Sequence, residues 1–398
     1  MSLSQGQHYL AIPGPSVMPD RVLQAMHRAA PNIYTGDIVD LTHSLIPDLK
    51  SVAQTSGDVA IYIANGHGAW EAALANTVAP GETVLVLATG RFAIGWGEIA
   101  TSMGIQVQTL DFGKRDTIDL DQVRHTLKAD TKDQIKAVIA VHVDTSSSVK
   151  NDIGALRGVL DDIGHPALLF ADCIASLGCD EFQMDAWGVD LMVAGCQKGL
   201  MTPPGLGFVF LNDRAKQARQ HMDRVSSYWD WTHRIAPDLY YQFFCGTAPT
   251  HHLYGLREAL NMMKEEGFDH IYQRHATLAA AVWAAVEAWG NGGDMALNIP
   301  DPALRSNAVT SIRLQAPDGT RLRDWTEQQA GVTLGIGLGM AEPGDPAWHG
   351  FFRIGHMGHV NAQMIMGTLG SIQAGLTALN IPHGADGLSA AAGVLAAG

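Results

Sequence analysis

Residues 168–207 carry two apolar runs with the length and composition of buried strands, and each run ends on a residue with chemistry to offer. The run at 167–171 is short and wholly apolar, and Asp172 stands where it ends. A second run at 191–194 leads into Gly195-Cys196-Gln197-Lys198-Gly199. Pro203-Pro204-Gly205 then forces a turn before a third apolar run at 206–211. One carboxylate and one lysine are thereby set at the mouth of a predicted sheet.

The rest of the first half repeats this alternation. A strand at 59–63 is broken by Ala64-Asn65-Gly66-His67-Gly68 and followed by the helical spacing of Trp70, Ala73, Leu74 and Val78. A strand at 82–87 ends at Gly90-Arg91-Phe92, and one at 135–141 runs into His142-Val143-Asp144-Thr145 and a serine run to Ser148. Strands alternating with helices over 55–211 predict a mainly parallel sheet with helices on both faces, in which ligands gather beyond the strand C-termini. Asp172, Thr145, Gly66 and Lys198 all fall at or just past such ends.

Later periodicity is mixed. Leu260, Met263, Leu278, Val282 and Val286 recur at helical spacing, 309–314 reads as a strand, and 322–329 and 364–379 read as helices. Gly335-Ile336-Gly337-Leu338-Gly339 reads as a flexible turn, with the wrong spacing for a dinucleotide fingerprint. The expected organisation is an extended segment at 1–15, a large domain at 16–255 and a smaller α+β domain at 256–383. An Ala/Gly-rich tail follows at 384–398, weakly ordered or a last helix.

Charge and cysteine usage narrow the function classes. A net charge of −14 disfavours nucleic acid and anionic membrane surfaces, which reward clustered Lys and Arg, so an anionic ligand must be held by local groups. Four cysteines without a C-x-x-C pair give no disulfide framework, and a start without a basic, then apolar, leader fits a soluble cytoplasmic protein. His251 and His252 are adjacent, diverge on a helix and have no partner at ligand spacing, so no metal site is expected.

A lysine and a carboxylate at neighbouring strand ends suit pyridoxal phosphate, which needs an amine to bind its aldehyde and an acid to keep its ring nitrogen protonated. Taken alone, the pair reads equally as a strand-end Asp and a solvated Lys. The turn at Gly66, His67 and Gly68 adds an anion site if it opens a helix, because first-turn N–H groups point outward; it also reads as an ordinary strand-to-helix turn.

Three long, ordered motifs bear on that choice: Asp172-Cys173-Ile174-Ala175-Ser176-Leu177-Gly178, then Trp187-Gly188-Val189-Asp190, then the Gly195 to Gly207 stretch around Lys198. With Arg353-Ile354-Gly355-His356 and Gly358, they resemble the class V aminotransferases of fold type I, and within them the serine-glyoxylate and alanine-glyoxylate group. The resemblance implies a pyridoxal phosphate enzyme with Lys198 and Asp172 catalytic and the phosphate on Gly66, His67 and Gly68. It also implies Phe92 stacked on the ring, and Thr145 and Gln197 against the cofactor. Thr247 would reach a partner subunit's phosphate in a homodimer. Arg353 would hold the substrate carboxylate by two parallel bonds, with Gly14 and Tyr34 near the substrate.

The implied reaction moves an amino group from serine or alanine to glyoxylate in a ping-pong cycle. Thr35 stands where relatives carry an Arg, Ser148 where they have a Gly, and Phe244 at a place where a Tyr occurs. Thr35 keeps open a pyridoxamine-pyruvate or aspartate-glyoxylate type of transaminase. A lyase such as a cysteine desulfurase would need a reactive loop Cys, for which Cys245 is the candidate, and a non-catalytic binding protein need not keep Lys198, Asp172 and Arg353 together.

Overall fold

A computed structural model describes residues 2–342 and 344–398. The chain starts with β1 (Tyr9–Ala11), α1 (Asp20–Met26) and α2 (Asp37–Ala53). It then alternates as β2 (Asp58–Ala64), α3 (Gly66–Ala75), β3 (Thr83–Ala88), α4 (Arg91–Ser102), β4 (Gln106–Asp111), α5 (Leu120–Ala129), β5 (Ile135–Val141) and α6 (Ile153–Ile163). Three strands follow with no helix of their own between them: β6 (Leu168–Asp172), β7 (Leu191–Gly195) and β8 (Gly205–Leu211).

These strands form one seven-stranded sheet in the order β2-β8-β7-β6-β5-β3-β4. Its pairs are parallel except those of β8, which runs antiparallel to both β2 and β7. The side-chain period of two sends alternate residues to opposite faces, and both faces are covered. Leu85, Val138 and Leu169 join one core with α2, α5 and α6; Val86, Ile139 and Phe170 join another with α3 and α4. The fully apolar runs read from the sequence are the strands that feed both cores at once.

After α7 (Asp213–Gln220) and the single turn α8 (Thr232–Ile235) come α9 (Thr250–Glu266) and the long α10 (Phe268–Gly290). The remaining elements are β9 (Ala296–Leu297), β10 (Val309–Arg313), α11 (Asp318–Trp325), β11 (Val332–Ile336), β12 (Phe351–Gly355), α12 (Ala362–Ala378) and α13 (Gly387–Ala397). A second sheet has the order β1-β11-β12-β10-β9, parallel at β1 and β11 and antiparallel elsewhere. It packs on α10, α12 and α13 around a third core that includes Trp289, Phe352 and Leu369. The protein is therefore an α/β molecule with a mainly parallel large sheet and a smaller α+β part.

Three details differ from the sequence expectations. The N-terminal extended segment supplies β1, which pairs with β11 at the far end of the chain. The expected boundary at 255/256 falls inside α9, whose Leu256, Leu260 and Met263 pack in the large sheet's core. Gly335 and Ile336 belong to β11, not to a flexible turn: Gly335 pairs with Arg353, and a Cβ there would press 2.6 Å from the Pro13 ring. The C-terminal stretch forms α13, which packs along α10 with Gly387 flat against the Trp289 indole. Among the described residues, no helix is long and apolar enough to cross a membrane.

Candidate active site

The C-terminal ends of β2, β5, β6 and β7 share one edge of the large sheet, and a cavity of about 210 Å³ opens there. Gly66, His67, Phe92, Thr145, Asp172, Gln197 and Lys198 all line it. Gly14 reaches the same place from the N-terminal segment, since a Cβ on it would run into the Lys198 side chain. Gly68 lies in the first turn of α3, facing Trp229. Tyr34 and Thr247 are elsewhere: they line a separate hollow of about 360 Å³ with Tyr240 and Tyr241.

The first turn of α3 is built for an anion. Asn65 caps the helix by accepting from Gly68 N at 3.3 Å, and Ala69 N bonds to the Asn65 carbonyl. Among the described residues, the N–H groups of Gly66 and His67 have no hydrogen-bond partner. They present the positive end of the helix to the cavity. Close packing keeps the turn bare: a Cβ at Gly66 would collide with Ile174, and one at Gly68 would sit 2.7 Å from the Ala64 Cβ. The His67 imidazole is held below its ordinary pKa by burial and then by the Arg91 charge, which favours the neutral ring.

Asp172 ends β6 with its carboxylate on the α3 and α4 side of the sheet. Its Oδ1 accepts from Ile174 N at 2.7 Å and its Oδ2 from Trp70 Nε1 at 2.9 Å. Burial pushes its pKa up to about 7, against those two bonds; Asp144 adds to the rise and Lys198 opposes it. A buried acid of this kind suits a cationic partner that replaces the lost water.

Lys198 lies three residues past β7, with its amine bonded to the Pro13 carbonyl. Burial, then the Arg353 charge, lower its pKa to about 8, with Asp172 pulling the other way. Its neutral amine is thus far better populated near neutrality than in an exposed lysine. The backbone is clamped as well: Ser16 Oγ donates to the Lys198 carbonyl at 2.7 Å, and Ser16 N to the Gln197 carbonyl at 2.9 Å.

Arg353 extends from β12 toward the same site and is only 6% exposed. Its Nε donates to the Ile336 carbonyl at 2.7 Å and its Nη1 to the Thr145 carbonyl at 2.6 Å. Burial lowers its pKa to about 10, still well above neutral, so it stays charged. Three of its five N–H donors remain for a ligand carboxylate.

Several residues around the site take roles that the sequence had not assigned them. Asp144 accepts from Phe92 N at 2.9 Å and from Ser146 N and Oγ, which fixes the start of α4 and hence Phe92. Ser148 itself takes φ +65, the left-handed conformation that glycine enters freely, and its Oγ accepts from Ser311 N. Phe244 is a core residue packed on Phe243 and Tyr240. Asp190, which closes the Trp187 motif, is a structural pin: it accepts from Leu169 N, Asn212 Nδ2 and Arg214 Nη1 and locks β6 against β8. His251 and His252 each bond a backbone carbonyl.

Pyridoxal phosphate fits these residues. The bare α3 turn matches its phosphate, Asp172 its ring nitrogen and Lys198 its aldehyde, and the turn's glycines leave room where any side chain would intrude. A family model described as aminotransferase class-V matches residues 8–355. The chain is 35% identical to the serine-glyoxylate aminotransferase of Methylorubrum extorquens, over 93% of this chain and 91% of that protein. It is 30% identical to the L-aspartate-glyoxylate aminotransferase of Paracoccus denitrificans, over 94% of this chain and 93% of that protein. Among solved structures, the ureidoglycine-glyoxylate aminotransferase of Bacillus subtilis superposes with a TM-score of 0.88 and 25% identity, covering 99% of this chain and 100% of that one.

Proposed function

The chain belongs to the class V aminotransferases, a pyridoxal phosphate family, and from that premise we propose that it moves an amino group from serine or alanine to glyoxylate in a ping-pong cycle. The observation that carries the reading is the meeting of a depressed lysine, a buried aspartate and an arginine with spare donors at one sheet edge. The serine-glyoxylate relative supports the choice of donor and acceptor.

Pyridoxal phosphate, when bound, would supply an aldehyde as the carrier of the amino group and a protonated ring as an electron acceptor. The chain does the rest. Gly66 and His67 N–H groups would hold the phosphate, and Gln197, Thr145 and Phe92, which line the same cavity, would contact the rest of the cofactor. Asp172 keeps the proton on the ring nitrogen. Lys198 Nζ, as a neutral amine, would take the proton from the donor's Cα and, in the second half of the cycle, deliver one to the acceptor's Cα. Arg353 receives the carboxylate of donor and acceptor in turn, so both are oriented by the same fork.

We assign Tyr34 and Thr247 to a second copy of the chain. Their hollow lies apart from Lys198, and Tyr34 is 80% exposed with Tyr241 and Leu239 also exposed beside it, which suits a homodimer in which Thr247 reaches the partner's phosphate. The test of the function is a titration of the purified protein's visible cofactor band with L-serine, L-alanine, L-aspartate and pyridoxamine, followed by glyoxylate. Serine or alanine should bleach the band and glyoxylate restore it. A response to aspartate or pyridoxamine alone would refute the donor assignment.

A further inference from the structure

We propose that Trp70 is a positioning residue for the cofactor's ring nitrogen: its indole N–H, locked in an aromatic stack, keeps the Asp172 carboxylate ionised and aimed, and so decides how firmly the shared proton stays on the ring. The inference rests on the aminotransferase reading above and concerns a residue that lies behind Asp172.

The geometry is specific. Among the described residues, each Asp172 oxygen has one protein donor, Ile174 N on Oδ1 and Trp70 Nε1 on Oδ2. The charges that act on the carboxylate are those of Lys198, which favours its ionised form, and Asp144, which opposes it. Trp70 is fully buried. Its ring stacks on Trp96 at 5.8 Å and 11°, and Trp96 in turn stacks on Phe170 at 6.0 Å. On its other sides it meets His67 at 4.5 Å and the edge of Phe92 at 6.2 Å. One indole therefore touches the phosphate turn, the ring-stacking residue and the ring-nitrogen acid, and has no space to turn away.

The chemistry follows from competition. Asp172 and the ring nitrogen are two bases facing one proton, and each donor on the carboxylate weakens it as a base and leaves the proton on nitrogen. Without Trp70, Oδ2 faces apolar rings with no donor, in surroundings where a hydrogen bond to a charge counts most. The proton then moves toward Asp172, and the ring becomes a poorer electron acceptor. Ile174 cannot compensate, because its N–H is already spent on Oδ1.

The experiment uses the holoenzyme loaded with pyridoxal phosphate labelled with nitrogen-15 in the ring, whose chemical shift separates protonated from neutral nitrogen. Trp70→Phe keeps an aromatic ring and deletes the donor. It should move the signal toward the neutral form and lower kcat roughly tenfold to a hundredfold, the usual weight of one bond to a charged group, with KM little changed. Trp96→Phe removes an indole from the same stack, but its N–H goes to the Trp70 carbonyl at 3.3 Å. That variant should leave the signal in place.

If Trp70→Phe does not fold, 3-benzothienylalanine inserted at position 70 gives the same shape without the N–H and carries the same expectation. A ring-nitrogen signal unmoved by loss of the donor, or moved equally by Trp96→Phe, would overturn the proposal. A wild-type protein that binds no pyridoxal phosphate would instead overturn the site assignment beneath it.

Discussion

Arg353→Ala allows the substrate-orienting role to be tested apart from folding. In the wild type two of the five guanidinium donors are spent on the Ile336 and Thr145 carbonyls, which leaves three for a carboxylate. Truncation therefore has two separable effects. Two buried carbonyls lose their donors, at about 1–3 kcal/mol each, which appears as a lower melting temperature. Any bound carboxylate also loses a buried charged partner, worth about 2–5 kcal/mol. At about 1.4 kcal/mol per decade, that second loss is roughly thirtyfold to several thousandfold.

The ratio of two donors isolates it. Ethanolamine is serine without the carboxylate, so a change in stability or in Lys198 placement affects both alike. Single-turnover bleaching of the cofactor band gives each rate, free of the acceptor's own carboxylate. Serine's advantage over ethanolamine should shrink by that thirtyfold or more in Arg353→Ala. An advantage equal to that of the wild type would show that the fork serves only the two carbonyls.

Two further outcomes follow from the same structure. His275 is buried with Nδ1 on the Ile271 carbonyl and Nε2 accepting from Gly358 N, and burial, then the Arg274 charge, lower its pKa to about 3. Between its ordinary value near 6.5 and about 3, only the unfolded chain takes the extra proton. Stability should then fall with pH across that window by about 1.4 kcal/mol per unit for this one group, and not above it. His275→Gln, which can make both bonds without titrating, should flatten urea-derived stability between pH 6 and 4 by that slope; identical slopes would refute the assignment. For the dimer, co-expressing Lys198→Ala with Thr247→Ala should yield mixed dimers with one intact site, and so activity that neither variant has alone. If Thr247 acts within its own chain, mixing restores nothing.

Much of this architecture was legible because it is local. The unbroken apolar runs at 137–141, 167–171 and 191–194 read as strands covered on both faces, and such strands end at a shared edge, so Asp172 and Lys198 could be set near one another from spacing. The glycine turn that opens α3 was legible for the same reason: a strand, a turn and a helix start are neighbours in the chain. The domain boundary was not, nor was the start of the turn at 335–339: the chain does turn at 338–340, but Gly335 and Ile336 finish β11. A continuous helix can pack in one core while pointing to the next, and a glycine kept for close packing inside a strand reads like a glycine kept for a turn.

The sequence by itself determined the α/β class and put Asp172, Thr145, Gly66 and Lys198 at strand ends, because burial of short apolar runs is a property of a few adjacent residues; Phe92, Gln197 and Arg353 were singled out only by the resemblance to a family. Tertiary structure alone decided which of them cooperate. Trp70 and Asp172 are 102 residues apart, and Arg353 meets Thr145 across 208. It also separated Tyr34 and Thr247 from Lys198, and made Asp190 a pin while leaving Asp172 at the cavity. Hydrogen bonds between distant elements depend on how whole layers dock, and no spacing along the chain encodes that.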